Sequence, residues 1–244
     1  MWSHDSGFEV FDARVDAADD DPGAQGAALL DRGLVRFAAG HLEDAQSDLD
    51  AAGDALRESG DQEAAALAAS IASLTARCRG DREGAVARAL FARGWAPPET
   101  ASTVAGHIAV AESAMDAADL GPGIWGYIEA TNVFGDNGLS DDTRDALTTY
   151  ADWLNEADHA ERRPTTPDLT HHRATPDLLD AVGRALLGEI PTDGLTTGSP
   201  DGDPLGHAAT AATLAVLHSR QGQGRQASEA IVEAHLLGAT VPPD

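Results

Sequence analysis

Apolar residues recur along the chain at spacings of three and four, which places them on one face of an α-helix. Valine, isoleucine and threonine form no alternating runs, so there is little indication of β-strands. We therefore predict an all-α protein. The predicted helices span residues 26–39, 42–58, 62–79, 82–94, 101–119, 122–134, 141–160, 176–188, 206–220 and 224–238.

Residues with special backbone or capping properties lie between these helices. Gly40, Gly80 and Gly222 each separate two helical patterns, where a helix commonly ends in a left-handed conformation. Thr175 and Ser140 precede helical patterns and can cap them. These turn and capping residues predict a series of helical hairpins joined by tight turns.

The pattern also predicts how the chain is organised. Residues 1–25 form an acidic, irregular N-terminal tail that could dock through apolar side chains, and residues 26–188 form helical hairpins with a Pro/Thr linker at 162–175. An irregular loop covers 189–205, and a last hairpin covers 206–244. We expect one continuous helical domain. The docking residues of the tail are Phe8, Val10 and Phe11.

The first hairpin carries a spaced set of small and apolar residues: Gly33, Gly40, Ala45, Leu49 and Ala52. Two helices that cross closely need small side chains at their contact, and larger apolar residues fill the space to the next pair. The run from Gly40 to Ala45 resembles the core motif of the tetratricopeptide repeat, with leucine in place of its aromatic residue.

The same register recurs twice, whereas residues 101–188 match the motif poorly. The recurrences are Gly80, Ala85, Ala89, Ala92 and Gly222, Ala227, Ile231, Ala234. This resemblance implies a right-handed α-solenoid of about five hairpins, in which each repeat stacks on its neighbours. Another α-helical bundle remains the alternative.

The resemblance further implies that the first helices of the hairpins line a concave groove. The combined set of lysine, asparagine and arginine with which some family members grip acidic peptide tails is absent, so a partner helix or peptide with an apolar face is expected. Alternatively, the N-terminal tail or a neighbouring helix of the same chain fills the groove. The predicted groove residues are Leu30, Leu34, Phe37, Leu67, Leu74, Arg77, Val216 and Arg220.

The charge of the chain narrows the range of partners. Its 244 residues include 41 acidic and 16 basic side chains, for a net charge of −25, and every basic residue is arginine. A chain of this charge repels nucleic-acid phosphates. The absence of lysine excludes a P-loop lysine, a pyridoxal phosphate Schiff base and a kinase-type catalytic lysine. The composition fits either a halophilic source or a GC-rich mesophile.

Few residues suggest chemistry. Cys78 is the single cysteine, so there is no disulfide framework. His159, His171 and His172 lie close in sequence and suggest a metal site, but two of them are adjacent and a solvated linker is the better explanation. We find no catalytic motif and expect no cofactor. No signal peptide or membrane span is evident, which predicts a cytoplasmic protein.

Three tryptophans have two interpretations. Trp95 follows the second hairpin, and Trp125 and Trp153 lie in the divergent middle of the chain. Each either fills the core, where alanine leaves room, or anchors a protein interface.

The sequence as a whole predicts a non-catalytic protein-interaction module, an adaptor or assembly subunit. Its partner would be another protein with basic flanks, drawn to the acidic rim of the groove. The alternatives are a ligand-sensing regulatory domain, a self-assembling homo-oligomeric subunit, and a metal-dependent enzyme built on the three histidines.

Overall fold

The computed structural model describes residues 6–18, 20–156, 166, 168–197 and 202–237. Within these ranges the chain forms α-helices and two 3-10 turns, at Gly135–Asn137 and Thr192–Gly194, and contains no strand. The predicted all-α class is confirmed. The helices are α1 (Ser6–Ala17), α2 (Pro22–Ala38), α3 (Leu42–Ser59), α4 (Gln62–Cys78), α5 (Arg82–Trp95), α6 (Ala101–Asp116), α7 (Leu120–Thr131), α8 (Asp141–Asn155), α9 (Pro176–Leu186), α10 (Pro204–Arg220) and α11 (Gly224–Leu236).

The helix ends follow the local signals of the sequence. Gly40, Gly80 and Gly222 take left-handed φ angles of +76°, +73° and +69°, as predicted. The Ser140 hydroxyl accepts a hydrogen bond from the Thr143 amide at 3.3 Å and so caps α8. The ten predicted helices are all present and differ from the observed ones by a few residues at their ends.

The prediction of an irregular tail over residues 1–25 is wrong where the structure describes it. Residues 6–17 form α1, and α2 already begins at Pro22. Phe11 of α1 is fully buried and Phe8 stacks on the His41 ring with centroids 5.4 Å apart, whereas Val10 stays exposed. The tail therefore docks as expected, but as a helix, because docking one apolar face stabilises the helical conformation.

The helices pack in chain order and the last pair folds back. Each helix from α2 to α7 packs against the next one. The pair α10–α11 packs together, and α10 also contacts α2 and α4 while α11 contacts α6. Helix α9 lies against α2 and α10. The last hairpin therefore covers the first helices of the three preceding pairs.

Small residues bring the paired helices close together. A Cβ atom added to Gly33 of α2 would lie 3.0 Å from Leu49 Cγ of α3. The absence of a side chain at Gly33 therefore lets α2 approach α3 closely at Leu49. A second cluster lies at α6–α8, where the Tyr127 and Tyr150 rings meet edge to face at 5.3 Å and Trp153 stacks on Tyr150.

The described part of the Pro/Thr linker crosses the ends of two helices. The Leu169 amide donates to the Cys78 carbonyl at 2.8 Å, and the Ala174 amide donates to the Ala38 carbonyl at 3.0 Å. Leu169 is fully buried. The described part of the linker is irregular, as predicted, and these hydrogen bonds hold it against α2 and α4.

The described part of the 189–205 loop also has a buried anchor. Leu195 is buried next to the 3-10 turn. Within the described ranges, no helix combines the length and the apolar character needed to cross a bilayer.

Two glycines test the close helix packing. A Cβ atom at Gly106 of α6 would lie 2.7 Å from the Arg93 Cα of α5, whereas Gly94 has open space around its Cβ position. We expect Gly106→Ala to lower the free energy of unfolding by about 1–3 kcal/mol, because backbone must move. Gly94→Ala should be neutral or stabilising by up to about 1 kcal/mol.

Urea unfolding followed by circular dichroism measures both changes. Equal effects of the two substitutions would contradict the close approach of α5 and α6.

Candidate functional site

The residues predicted to line a partner-binding groove lie mostly inside the protein. All but Arg220 are buried, and the side chain of Arg220 is 37% exposed. Helix α10 packs against α2 and α4, which carry most of them. A helix of the same chain covers these positions, which is the alternative that the sequence left open. The buried residues are Leu30, Leu34, Phe37, Leu67, Leu74, Arg77 and Val216.

A small remnant of the predicted groove stays open. A cleft of about 250 Å³ lies between α2, α4 and α10, and its lining includes Leu30, Leu67, Val216 and Arg220. The structure thus brings together four of the eight predicted residues. Below them, Arg220 forms an ion pair of 2.7 Å with buried Asp31. The cleft is too small for a partner helix, whose diameter with side chains is about 10 Å.

The other side of the filled groove contains a buried polar network around Arg77. Its Nε donates to Asp116 Oδ2 at 2.8 Å, and its Nη2 donates to Glu112 Oε2 at 2.7 Å. Tyr127 donates its hydroxyl to the other oxygen of Glu112. Arg77 also donates to the backbone carbonyl of His235 at 2.9 Å. One guanidinium therefore joins α4, α6 and α11.

The hydrogen bonds around His235 define its protonation state. Ser70 donates its one hydroxyl hydrogen to the Ala105 carbonyl at 3.0 Å, so its oxygen accepts from His235 Nε2 at 2.9 Å. Nδ1 faces the Arg77 Nη1 donor at 3.5 Å, which favours an Nδ1 without a hydrogen. Burial, and secondly the charge of Arg77, hold the pKa of His235 well below its usual value. The imidazole is neutral.

The Arg77 network has the features of a structural element. Arg77, Asp116 and Thr166 contribute to the wall of a polar cleft of about 610 Å³, but the side chains of Arg77 and Glu112 are only 1% exposed. Arg77 holds the pKa of Asp116 below its usual value, against the opposing effect of burial. A buried charged group without a partner would be costly, so these contacts specify how α11 docks.

Sequence reasoning found only part of this network. It assigned Arg77 to the groove wall and assigned no role to His235, Glu112 or Asp116. Polar residues on otherwise apolar helix faces are the signal that could have found them, because a buried polar group needs a partner.

Those residues considered for metal chemistry that the structure describes do not form a metal site. His159 lies outside the described residues, and His171 and His172 are exposed. Across the described ranges no cluster of three histidine, cysteine or carboxylate side chains is placed to hold a metal ion. Cys78 is buried, and burial raises the pKa of its thiol to about 12, which leaves it unreactive at neutral pH.

Another cleft lies at the surface of the protein, away from the predicted groove residues. It has a volume of about 650 Å³ and is bounded by α5, α6 and α7. Trp125 on its rim is 61% exposed, whereas Trp95 and Trp153 are half-buried. Of the three tryptophans, Trp125 has the exposure of an interface anchor. We call this the Trp125 cleft; its lining is Arg93, His107, Val110, Gly121, Pro122, Trp125, Gly126 and Glu129.

Helix α7 packs closely on α6 at Gly126. A Cβ atom at Gly126 would lie 2.7 Å from the His107 carbonyl oxygen and 2.8 Å from Ala111 Cβ. The residues on either side of Gly126 lie on different faces of α7. Tyr127 is fully buried, whereas Trp125 lies at the rim of the cleft.

Three polar side chains converge on the Trp125 cleft. Glu129 lies one turn after Trp125 on α7, His107 lies on α6, and Arg93 lies on α5. Burial lowers the pKa of His107, an effect that Glu129 opposes and Arg93 reinforces. Within the described residues, none of the three has a hydrogen bond or ion pair from its side chain. An apolar cleft with convergent polar groups is typical of a binding site.

Comparison of the chain with protein-family models, with curated proteins and with solved structures finds no match. The resemblance to the tetratricopeptide repeat therefore depends on the residues of this chain alone.

Substitution of Leu34 separates a core role from a surface role. Leu34 is fully buried, so Leu34→Asp places a charge in the core and should lower the free energy of unfolding by more than about 3 kcal/mol. Leu90→Asp, at a side chain 47% exposed on α5, should change it by less than about 1 kcal/mol. Chemical denaturation gives both values. A fully stable Leu34→Asp variant would mean that the groove is open.

His235 makes the protein sensitive to mild acid. Because its folded pKa lies below the usual value of 6.5, the folded state binds fewer protons than the unfolded state at lower pH. Stability should therefore fall as the pH drops below about 6.5, by up to about 1.4 kcal/mol per pH unit. Buried Asp31 and half-buried Glu63, whose pKa values burial raises, act in the opposite direction.

A matched pair of variants isolates this contribution. His235→Gln should flatten the decline of the melting temperature between about pH 7 and about pH 5. His171→Gln, at an exposed histidine, should leave the decline as it is in the wild type. The same pH dependence in all three proteins would show that His235 does not titrate in this range.

Proposed function

We propose that this chain is a non-catalytic protein-interaction module that binds its partner at the Trp125 cleft. Exposed apolar side chains carry the proposal. Five of the seven large apolar side chains that are exposed among the described residues belong to α5 and α7, the helices on either side of the cleft. These five are Leu90, Phe91, Leu120, Trp125 and Ile128.

Exposure of this kind favours a partner over solvent. Each side chain is at least 38% exposed, and burying a large apolar side chain contributes about 1.5–3 kcal/mol. Exposed aromatic residues at the edge of a pocket are the usual anchors of protein interfaces. The buried network and the filled groove offer no comparable surface.

The proposal includes the solenoid that the sequence suggested. Support comes from the packing of each helix from α2 to α7 on the next, and from the contact between Gly33 and Leu49. In this proposal the helical pairs are divergent tetratricopeptide-like repeats, and the module acts as an adaptor or assembly subunit inside the cell. The last hairpin, packed on α2, α4 and α6, leaves the outer helices to make the contact.

Recovery of the tagged protein from its own host tests the proposal. A partner recovered in a fixed ratio should be lost with Trp125→Ala, because the cleft loses its most exposed apolar side chain. Phe134→Ala is the control, since Phe134 is 64% exposed but lies outside the cleft lining.

The partner, once identified, should be purified and its affinity measured by calorimetry. We expect Trp125→Ala to weaken binding at least about tenfold, that is by about 1.4 kcal/mol or more. Equal losses with both variants would contradict binding at this cleft. Recovery of a dimer of the chain itself would instead favour the self-assembling subunit.

A further inference from the structure

We infer that the partner segment at the Trp125 cleft is a basic amphipathic helix that seats an apolar side chain beside Trp125 and pairs a lysine or arginine with Glu129. This inference depends on the proposed function and specifies the chemistry of the partner.

The walls of the cleft match an apolar side chain. Trp125 and Pro122 on α7 and Val110 on α6 provide apolar surface, and Gly121 and Gly126 leave room between them. A volume of about 650 Å³ accommodates one or two large side chains but not a folded domain. Such a site suits a helix that inserts anchor residues from one face.

Glu129 supplies the charge preference. Glu129 is a half-buried residue of the cleft lining, and within the described residues its side chain has neither a hydrogen bond nor an ion pair. Its carboxylate is therefore available to accept a charge-assisted hydrogen bond from a cationic side chain. Because Trp125 lies one turn away on the same face, the cation of the partner also approaches an aromatic ring.

Arg93 on the opposite wall does not neutralise this preference. It is exposed, so water and salt screen its guanidinium. His107 between the two is kept neutral by the burial that lowers its pKa. Glu129 therefore dominates the electrostatics of the partly buried part of the cleft.

The charge of the whole chain favours a basic partner over a second copy. Each copy carries a net charge of −25, so two copies repel each other at low ionic strength. Most of the arginines that the structure describes form ion pairs within the chain, such as Arg77 with Glu112 and Arg88 with Asp50. The outer surface thus attracts a cationic segment and speeds its encounter.

Two synthetic peptides of about 18 residues test the inference by calorimetry. Both present leucines along one helical face; the first flanks them with lysines, and the second has glutamate at every lysine position. We expect the lysine peptide to bind to the wild-type protein and the glutamate peptide not to bind. Raising KCl from about 0.05 M to about 0.5 M should weaken the binding at least about tenfold.

Matched variants separate the cleft from the general negative charge. Glu129→Gln should weaken binding of the lysine peptide about tenfold, and Trp125→Ala should weaken it further. Glu58→Gln removes the same charge at an exposed position of α3, and Phe134→Ala removes an exposed aromatic ring elsewhere. Both controls should bind like the wild type.

Three results would overturn the inference. These are equal binding of the two peptides, equal effects of Glu129→Gln and Glu58→Gln, or no binding of the lysine peptide. If the host partner still depends on Trp125 in any of these cases, the proposed function stands and only the partner chemistry is wrong. If the host partner is insensitive to Trp125→Ala, the proposed function fails as well.

Discussion

The rest of the structure depends on the docking of the last hairpin, α10–α11, onto α2, α4 and α6. Helix α10 packs on α2 and α4, and α11 packs on α6. Two buried ion-pair centres accompany this contact. Arg77 reaches Glu112, Asp116 and the His235 backbone, and Arg220 reaches Asp31. Apolar contact supplies the driving force, and the ion pairs select one arrangement of the hairpin.

This docking buries one face of the helical pairs and leaves the other face exposed. The helices that carry the predicted groove become core, so their apolar side chains no longer face a partner. The outer helices α5 and α7 retain exposed apolar side chains, and the Trp125 cleft lies between them. The binding surface that we propose therefore lies on the side of the helical pairs that the family resemblance did not point to.

Close helix contacts through small residues have a second consequence. Gly106 allows α6 to approach α5, and Gly126 allows α7 to approach α6. Contacts of this kind need little side-chain volume, and the alanine-rich core explains how the chain buries its helices with few aromatic residues.

Local rules in the sequence determined the helices. Apolar spacing, the left-handed glycines Gly40, Gly80 and Gly222, and the Ser140 cap act within a few residues, so ten helices could be predicted. The helix at Ser6–Ala17 was missed, because its stability comes from docking Phe11 rather than from its own sequence. The family resemblance also assigned Leu30, Leu67, Val216 and Arg220 to one surface, and in the structure they line one cleft.

Only the tertiary structure decided which helix faces are covered. An apolar face has the same pattern whether it meets a partner or another helix of its own chain, since burial depends on contacts between distant segments. Arg77 and His235 are 158 residues apart, and no local pattern connects them. Exposure of Trp125 likewise depends on which face of α7 packs on the other helices. The sequence determined the elements, and long-range packing determined the surface that remains for function.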